Sequence, residues 1–421
     1  MTTGKSTVPV RAGFLPLLDA AVLIVAAERG FAAEEGLALE LVRETSWANI
    51  RDRTAIGHFE VAHMLAPMPI AASLGLTSLG GAMVAPMALG LGGNAITVSN
   101  ALWTAMAAEG APDDGDPAAA GAALKRVIAA RRGAGARPLT LAVVHPFSGH
   151  NYELRYWLAA CGIDPERDVA IGVVPPPFMA DALKAGRLDG YCVGEPWNMA
   201  ALAAGAGRIV TTKAAIWRSS PEKVLGMRAD WAEANADAVA RLLRAFYRAA
   251  LWCDEVENRP RLAALLSRPG YLDMPAELLL PGLTGRLALG AAEARPAPDF
   301  LMFARRAATF PWISHALWFF SQMVRWGQAG LSAEALEAVK RTYRPGLYRA
   351  ALQPLGVALP GASAKVEGAL AEELAIAGSA GTLTLGPDGF FDGRAFDPDR
   401  IEAYLAALPF AAAHRTPAAD T

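Results

Sequence analysis

The sequence predicts an α/β protein of two doubly wound lobes with extra helices toward its C-terminal end. Short apolar strands alternate with helical segments through the first half of the chain, a pattern typical of mostly parallel sheets. A low-complexity stretch interrupts the alternation once, and the same pattern then begins again. With 421 residues, 53% of them hydrophobic and 19% charged, the chain can build more than one packed core.

The first unit of the pattern covers residues 8–108. Its last part, 61–108, contains no Asp, Glu, Lys or Arg, and by length alone it could span a bilayer. Pro67, Pro69 and Pro86 break this stretch, which favours a buried strand–helix–strand unit instead. In chain order we predict strand 8–14, helix 20–29, strand 37–41, helix 47–56, strand 61–64, helix 69–74, strands 87–89 and 96–99, and helix 102–108.

The second unit follows the sequence EGAPDDGDPAAAGA at 109–122, which we interpret as a surface loop because it is rich in Gly, Pro and Asp. Beyond Trp231 the pattern becomes strongly helical and includes an aromatic-rich run at 300–326. In chain order the second unit is predicted as helix 124–132, strand 139–144, helix 152–160, strand 169–173, helix 179–185 and strand 190–193.

The two units share a spacing, which is expected if two similar α/β halves face one cleft. We therefore predict one lobe at 1–99 plus 212–421 and an inserted lobe at 100–211, with hinge crossings near 99–100 and 210–212. The shared spacing joins Gly57, Glu60 and Pro67 in the first unit to Gly186, Asp189 and Pro196 in the second.

The composition argues against several classes of function. A net charge of −2 provides no basic stripe for direct nucleic-acid binding. Cys161, Cys192 and Cys253 form no C-x-x-C pair, so neither a zinc site nor a disulfide framework is indicated. The opening MTTGKSTVPVRAGF lacks the features of an export signal, and we expect a cytoplasmic protein without membrane insertion. No catalytic or metal-ligand spacing stands out, so we expect neither an enzyme nor a cofactor.

Residues 145–198 carry the most specific signal: HPFSGHNYELRYWLAACGIDPERDVAIGVVPPPFMADALKAGRLDGYCVGEPWN. Strand ends and helix starts converge here, as at the rim of a small-ligand cleft. The segment resembles the second lobe of the nitrate- and bicarbonate-binding proteins of ABC importers. It equally resembles their relative, the cytoplasmic nitrate sensor that controls an RNA-binding antiterminator. The resemblance extends from about Val10 to about Phe410 and implies a type II periplasmic-binding-protein-like fold.

The resemblance implies an anion site. Nitrate offers only acceptors, so its pocket needs a cation, several N–H or O–H donors and a flat apolar wall, without a close carboxylate. Lys223 in SSPEKVLG matches the family's neutralising lysine, and His150 in SGHNYELRYW matches a ligand residue at a helix start. Trp47 in ETSWANIRD matches the aromatic wall, with the amide of Asn49 nearby. A core role for Trp47 stays open.

Two further positions complete the predicted site. Asn94 in GGNAITVSN lies in a Gly-rich turn where an amide can donate, although a turn-forming role is equally compatible. Pro176 in VVPPPF matches a position that contacts the ligand through its backbone. Bicarbonate carries a hydroxyl and would need an acceptor, for which Glu222 and Glu195 are candidates. We expect nitrate ahead of bicarbonate, with nitrite open, and a backbone-satisfying role for Glu195.

Two binding functions compete. A regulatory sensor would close on nitrate and release a partner, which the resemblance implies is an ANTAR-domain antiterminator. Its partner surface is predicted in the aromatic-rich run, at Trp312, Trp318 and Trp326. An importer receptor would use the same pocket and deliver its ligand to a permease. The polar N-terminus favours the sensor.

Overall fold

Residues 7–290 and 293–411 are described by a computed structural model, in which two five-stranded mixed sheets form the framework. In the first sheet four strands run in one direction and the strand Lys223–Arg228 is antiparallel to both of its neighbours. The spatial order of its strands is Leu37–Arg43, Val8–Phe14, Val61–Leu65, Lys223–Arg228 and Met83–Ala88.

The second sheet repeats this plan, with four strands in one direction and the strand Asn94–Ser99 antiparallel to both of its neighbours. Its strand Asn94–Ser99 precedes the predicted boundary at residue 100, so the chain passes between the two sheets before that strand. The division into 1–99 plus 212–421 and 100–211 stays a prediction. The spatial order of the strands is Gly207–Thr212, Asn94–Ser99, Gly190–Gly194, Leu139–Val143 and Val169–Val173.

Helices cover both sheets. Those between the strands of the first sheet are Ala21–Glu28, Phe31–Glu34, Trp47–Ala55 and Pro67–Ser73. Those associated with the second are Asn100–Ala108, Pro117–Gly133, Gly149–Ala160, Met179–Lys184 and Trp197–Ala203, and the short helix Lys213–Ile216 leads back to the first. None of the helices within the described ranges is long and apolar enough to cross a membrane.

The C-terminal part is mainly helical, as predicted. Helix Ile313–Arg325 packs against Pro67–Ser73 beside the first sheet and against Gly149–Ala160 beside the second. It therefore holds the two halves together through apolar contacts. The helices are Ala229–Ala234, Ala236–Asp254, Arg259–Leu266, Ala276–Thr284, Ile313–Arg325, Ala333–Thr342, Pro345–Leu352 and Ile401–Ala406, with short strand pairs Arg286–Leu287/Arg295–Pro296, Leu91–Gly92/Leu301–Met302 and Leu374–Gly378/Gly381–Leu385.

The shared spacing of the two units has a structural basis. Gly57 and Gly186 both have positive φ, at 76° and 68°, and each follows a helix. The Glu60 carboxylate accepts the N–H of Arg11 at 2.7 Å, and the Asp189 carboxylate accepts that of Thr140 at 2.8 Å. Each carboxylate thus accepts a backbone N–H of the neighbouring strand, at equivalent positions in the two halves.

Three expectations need correction. Helix Pro117–Gly133 begins inside the predicted loop 109–122, because the Asp116 carboxylate accepts the N–H of Ala119 at 2.7 Å and proline suits a first helical turn. Asn94 is the first residue of a strand and does not lie in a turn. The aromatic run is no exposed surface: Trp312 and Trp318 are buried in the core and Trp326 is half-buried.

Candidate functional site

Charged side chains from both sheets meet in one buried group, which we call the charge cluster. Each of its members is at most 5% exposed. Some of them lie at element ends, as His150 does: Ser148 caps its helix by accepting the N–H of Asn151 at 3.0 Å. The charge cluster consists of Asp19, His63, His150, Glu153, Lys213, Glu222 and Lys223.

Lys223 lies at the start of a strand of the first sheet. Its Nζ is 2.8 Å from Asp19 Oδ2 and 2.7 Å from Glu222 Oε1. The same Nζ lies 5.4 Å from the centre of the Trp47 ring, a distance at which a cation is attracted by the aromatic face. Asp19 also holds His63, whose Nε2 is 2.9 Å from Asp19 Oδ1. The predicted cation and aromatic wall are therefore neighbours.

Glu222 connects this half of the charge cluster to the other half. Its Oε1 lies 3.2 Å from His150 Nδ1, and its other oxygen accepts from Lys213. Lys213 Nζ is also 2.7 Å from Glu153 Oε1 and donates to the carbonyl of Pro221 at 2.6 Å. Every lysine and carboxylate of the charge cluster thus touches an opposite charge, as buried charges require.

Burial and pairing shift the pKa values in opposite directions. Burial opposes ionisation of Asp19, but Lys223 and His63 outweigh it and lower the pKa of Asp19 to about 2. The two lysines likewise hold the pKa of Glu222 well below its ordinary value against the effect of burial. Burial raises the pKa of Glu153 to about 8 despite Lys213. At neutral pH, two carboxylates therefore balance two lysines, while Glu153 is mainly protonated.

The histidines are neutral in this setting. Burial lowers the pKa of His150 to about 3 although Glu222 favours its charged form. Burial likewise lowers the pKa of His63, although Asp19 opposes the shift. Each imidazole can therefore act as a neutral hydrogen-bonding group near pH 7.

Several buried polar atoms at the charge cluster lack a hydrogen-bond partner among residues 7–290 and 293–411, including Trp47 Nε1, both nitrogens of His150 and both side-chain heteroatoms of Asn94. Asn94 and His150 both approach Gly194, where an added Cβ would be 3.2 Å from Asn94 Oδ1 and 3.8 Å from His150 Nε2. Buried polar groups are normally satisfied, so these atoms indicate a ligand or water position.

The structure brings Trp47, Asn94, His150 and Lys223 to the charge cluster or its border. Asn49 is engaged elsewhere: its side chain donates to Glu44 at 2.9 Å, and its backbone N–H donates to the Ser46 cap at 3.2 Å.

Pro176 is buried in the short helix Pro176–Phe178, and no described contact joins it to the charge cluster. Ligand contact by any of the six residues stays a prediction.

The expectation of a pocket without a close carboxylate is wrong, because Asp19 and Glu222 both contact Lys223. Sequence reasoning also missed His63, Glu153 and Lys213. His63 is a lone polar residue in a buried apolar strand, and that isolation was an available signal, whereas Glu153 and Lys213 stand among other polar residues and gave none.

One minor expectation is confirmed, and a second histidine of the segment has a structural contact. Glu195 accepts the backbone N–H of Met199 at 3.2 Å, as expected of a corner carboxylate. His145 accepts the N–H of Phe147 through Nδ1 at 3.0 Å, which is a structural role. Within the described ranges, no three His, Cys, Asp or Glu side chains are arranged to hold a metal ion.

Comparison with known proteins identifies the family. The model of the NMT1-like family matches residues 3–267, more than half of the chain. The chain belongs to the NMT1-like family. The nitrate/nitrite binding protein NrtA of Synechococcus elongatus is 32% identical over 413 residues, which cover 96% of this chain and 86% of that protein.

Two other relatives have different names and roles. The bicarbonate-binding protein CmpA of Synechococcus sp. is 28% identical over 417 residues, covering 95% of this chain and 86% of CmpA. The nitrate import ATP-binding protein NrtC of Synechocystis is 35% identical over 362 residues. The match covers 84% of this chain and only 51% of NrtC, so the chain spans about half of that longer relative.

Solved structures confirm the predicted fold class. The periplasmic nitrate-binding protein NrtA from Synechocystis PCC 6803 superposes with a TM-score of 0.83 at 30% identity, over 96% of this chain and 98% of that one. The alkanesulfonate-binding protein SsuA from Xanthomonas axonopodis has a TM-score of 0.53 at 13% identity, over 76% and 94% of the chains, and shows the fold alone. This NMT1-like chain therefore has the fold of periplasmic binding proteins.

Proposed function

We propose that this chain binds a small planar monovalent anion, nitrate or nitrite, as the ligand-binding protein of an ABC importer. The observation that carries the proposal is a buried lysine beside a tryptophan ring, next to polar atoms that lack partners. Lys223, Trp47, Asn94 and His150 are these residues. The relatives named nitrate/nitrite binding protein support the same ligand class.

The geometry suits such a ligand in three ways. Lys223 has three N–H groups, of which Asp19 and Glu222 take two, and the third can meet an anion oxygen. The Asn94 amide and the His150 imidazole can supply further donors from the second sheet. The Trp47 ring provides an apolar face for a planar ion. The ligand would thus be held by both halves, and binding would favour the closed arrangement.

Bicarbonate is the second candidate, because carboxylates that could accept its hydroxyl lie next to Lys223. Both of these carboxylates already accept from lysine, which leaves them less available, and we therefore place nitrate first. Because the relative CmpA is named a bicarbonate-binding protein, the affinities for nitrate and bicarbonate must be compared directly.

Calorimetric titration with nitrate, nitrite, bicarbonate and sulfate tests the proposal. We expect saturable 1:1 binding of nitrate or nitrite, weaker binding of bicarbonate, and none of sulfate, whose second charge the balanced charge cluster cannot compensate. Preferential binding of bicarbonate would show that bicarbonate, and not nitrate, is the ligand. Failure of all four anions to bind would contradict the proposed function.

The regulatory alternative stays a prediction, as does the cytoplasmic location. A sensor would prefer its ANTAR-domain partner when free of ligand and release it when nitrate closes the two lobes. The partner surface must lie outside the aromatic run, since Trp312 and Trp318 are buried. Co-purification with such a regulator, with and without millimolar nitrate, tests this alternative. A complex that is insensitive to nitrate, or no complex, would contradict it.

A further inference from the structure

The two nitrogens of His150 have different surroundings. Nδ1 lies 3.2 Å from the charged Glu222 Oε1, a close contact without hydrogen-bond geometry, whereas Nε2 faces no carboxylate at such a distance; neither nitrogen has a hydrogen-bond partner within the described part of the chain. An ionised carboxylate accepts and does not donate, so the tautomer that suits this contact carries its proton on Nδ1. A neutral His150 therefore directs the lone pair of Nε2 toward the position beside Asn94 and Gly194.

An anion at that position would meet a lone pair. Nitrate and nitrite offer only acceptors, so a neutral Nε2 without hydrogen cannot bond to either of them. A second proton on the imidazole turns Nε2 into a donor and makes it attractive to the ion. His150 can thus contribute to anion binding only in the doubly protonated form or after giving up its contact with Glu222.

The net charge of the charge cluster also indicates that an additional proton must accompany the anion. Lys213 and Lys223 are matched by Asp19 and Glu222, and each of these side chains is at most 5% exposed. A bound anion adds one negative charge to this balanced, buried group, and an uncompensated buried charge is costly. One added proton restores the balance.

We propose that the anion binds together with one proton, which His150 takes from solvent on Nε2 and donates to the anion as a hydrogen bond. The inference rests on the proposed function and adds the proton as an obligatory co-ligand. The only covalent change is the new N–H bond, and the proton comes from water or buffer.

The remaining titratable groups cannot easily supply this charge. Glu153, with its pKa raised by burial to about 8, is already mainly protonated at neutral pH. His63 Nε2 lies 2.9 Å from Asp19 Oδ1, so a proton there would be held by that carboxylate instead of by the anion. Burial lowers the pKa of free His150 to about 3, which leaves it neutral until an anion arrives. The titratable or charged groups facing His150 and its neighbours are Asp19, His63, Glu153, Cys192, Lys213, Glu222 and Lys223.

Calorimetry of nitrate binding to the full chain measures the proton directly. Titrations at one pH in two buffers of different ionisation enthalpy should give about one proton taken up per nitrate. The dissociation constant should rise about tenfold per pH unit between pH 6 and pH 8, as linkage to one proton requires. Nitrate itself does not titrate in this range, so the slope belongs to the protein.

Two substitutions locate the proton. His150→Gln keeps a donor but cannot titrate, and we expect weaker binding at pH 6, a flat pH dependence and no proton uptake. His145→Gln is the matched control, a buried histidine that already accepts the Phe147 N–H and should leave the slope unchanged.

If His150→Gln no longer binds nitrate, the proton uptake measured in the wild-type titration alone tests the inference. Nitrate binding without proton uptake in wild type, or uptake that persists in His150→Gln, would overturn the inference and leave the proposed function standing. A wild-type chain that binds neither nitrate nor nitrite at any pH overturns both.

Discussion

Glu222 Oε1 lies 3.2 Å from His150 Nδ1, and this contact joins the edge of a strand in the first sheet to a helix beside the second. The approach is close: a Cβ on Gly149 would lie only 2.3 Å from Glu222 Oε2. The glycine of the SGHNY motif is thus required where a carboxylate packs against the helix start. The charge cluster and the junction between the two halves are the same feature of the molecule.

Gly149→Ala should therefore destabilise the protein by about 1–3 kcal/mol, because Glu222 must shift away from its partners. Gly133→Ala is the matched control, since it lies in a helix and a Cβ there meets no atom within 4 Å. It should be neutral or stabilising by up to about 1 kcal/mol. Urea denaturation measures both values, and equal effects of the two substitutions would refute the packing argument.

Lys223→Met should cost about 3–5 kcal/mol of stability, since it leaves Asp19 and Glu222 buried without their shared cation. Nitrate binding should fall as well. Lys340→Met is the control, because its pair with Glu337 is exposed and should be worth about 1 kcal/mol or less. Adding Asp19→Asn to Lys223→Met should restore part of the stability, and no restoration would contradict the pairing.

Glu153 should make the stability fall as pH rises. Burial raises the pKa of Glu153 to about 8 in the folded chain, so the folded state holds its proton more tightly than the unfolded state does. This stabilisation is fully present below the unfolded pKa of about 4.3 and is lost as pH approaches the folded value. Glu153→Gln should flatten the decline between pH 5 and pH 8 in thermal unfolding. An unchanged pH profile in that variant would show that Glu153 is ionised.

Asn94 and Asn49 were both predicted to contact the ligand, and the structure separates them. Asn94 has no hydrogen-bond partner at the charge cluster, whereas Asn49 donates to Glu44. Asn94→Ala should weaken nitrate binding by about 1–2 kcal/mol, the worth of one hydrogen bond to an ion, while Asn49→Ala should change it little. Calorimetry of the two variants distinguishes the positions, and the reverse order would restore Asn49 to the site.

The strands were predictable because their sequence period and apolar content are local. Strands Val8–Phe14 and Val169–Val173 have the predicted bounds. The start of helix Pro117–Gly133 was missed because Ala, Gly and Pro at a helix start resemble a loop in composition. Trp312 and Trp318 are buried through contacts with distant helices and a C-terminal loop that no local pattern reveals.

The position of a side chain at the charge cluster or its border was predictable where a motif carried it, as for Trp47, His150 and Lys223. The carboxylate partners were not, because Asp19 and Glu153 meet their lysines only after both sheets have formed. A motif indicates candidate ligand residues, whereas the balance of buried charge depends on residues far apart in the chain. For this reason the expectation of a site without carboxylates was wrong.

A crystal structure of the protein with nitrate tests the central claim most directly. We predict a planar ion against the Trp47 ring, within hydrogen-bond distance of Lys223 Nζ, His150 Nε2 and the Asn94 amide. Nitrate bound elsewhere, with these atoms still unpartnered or bridged by water alone, would contradict the account.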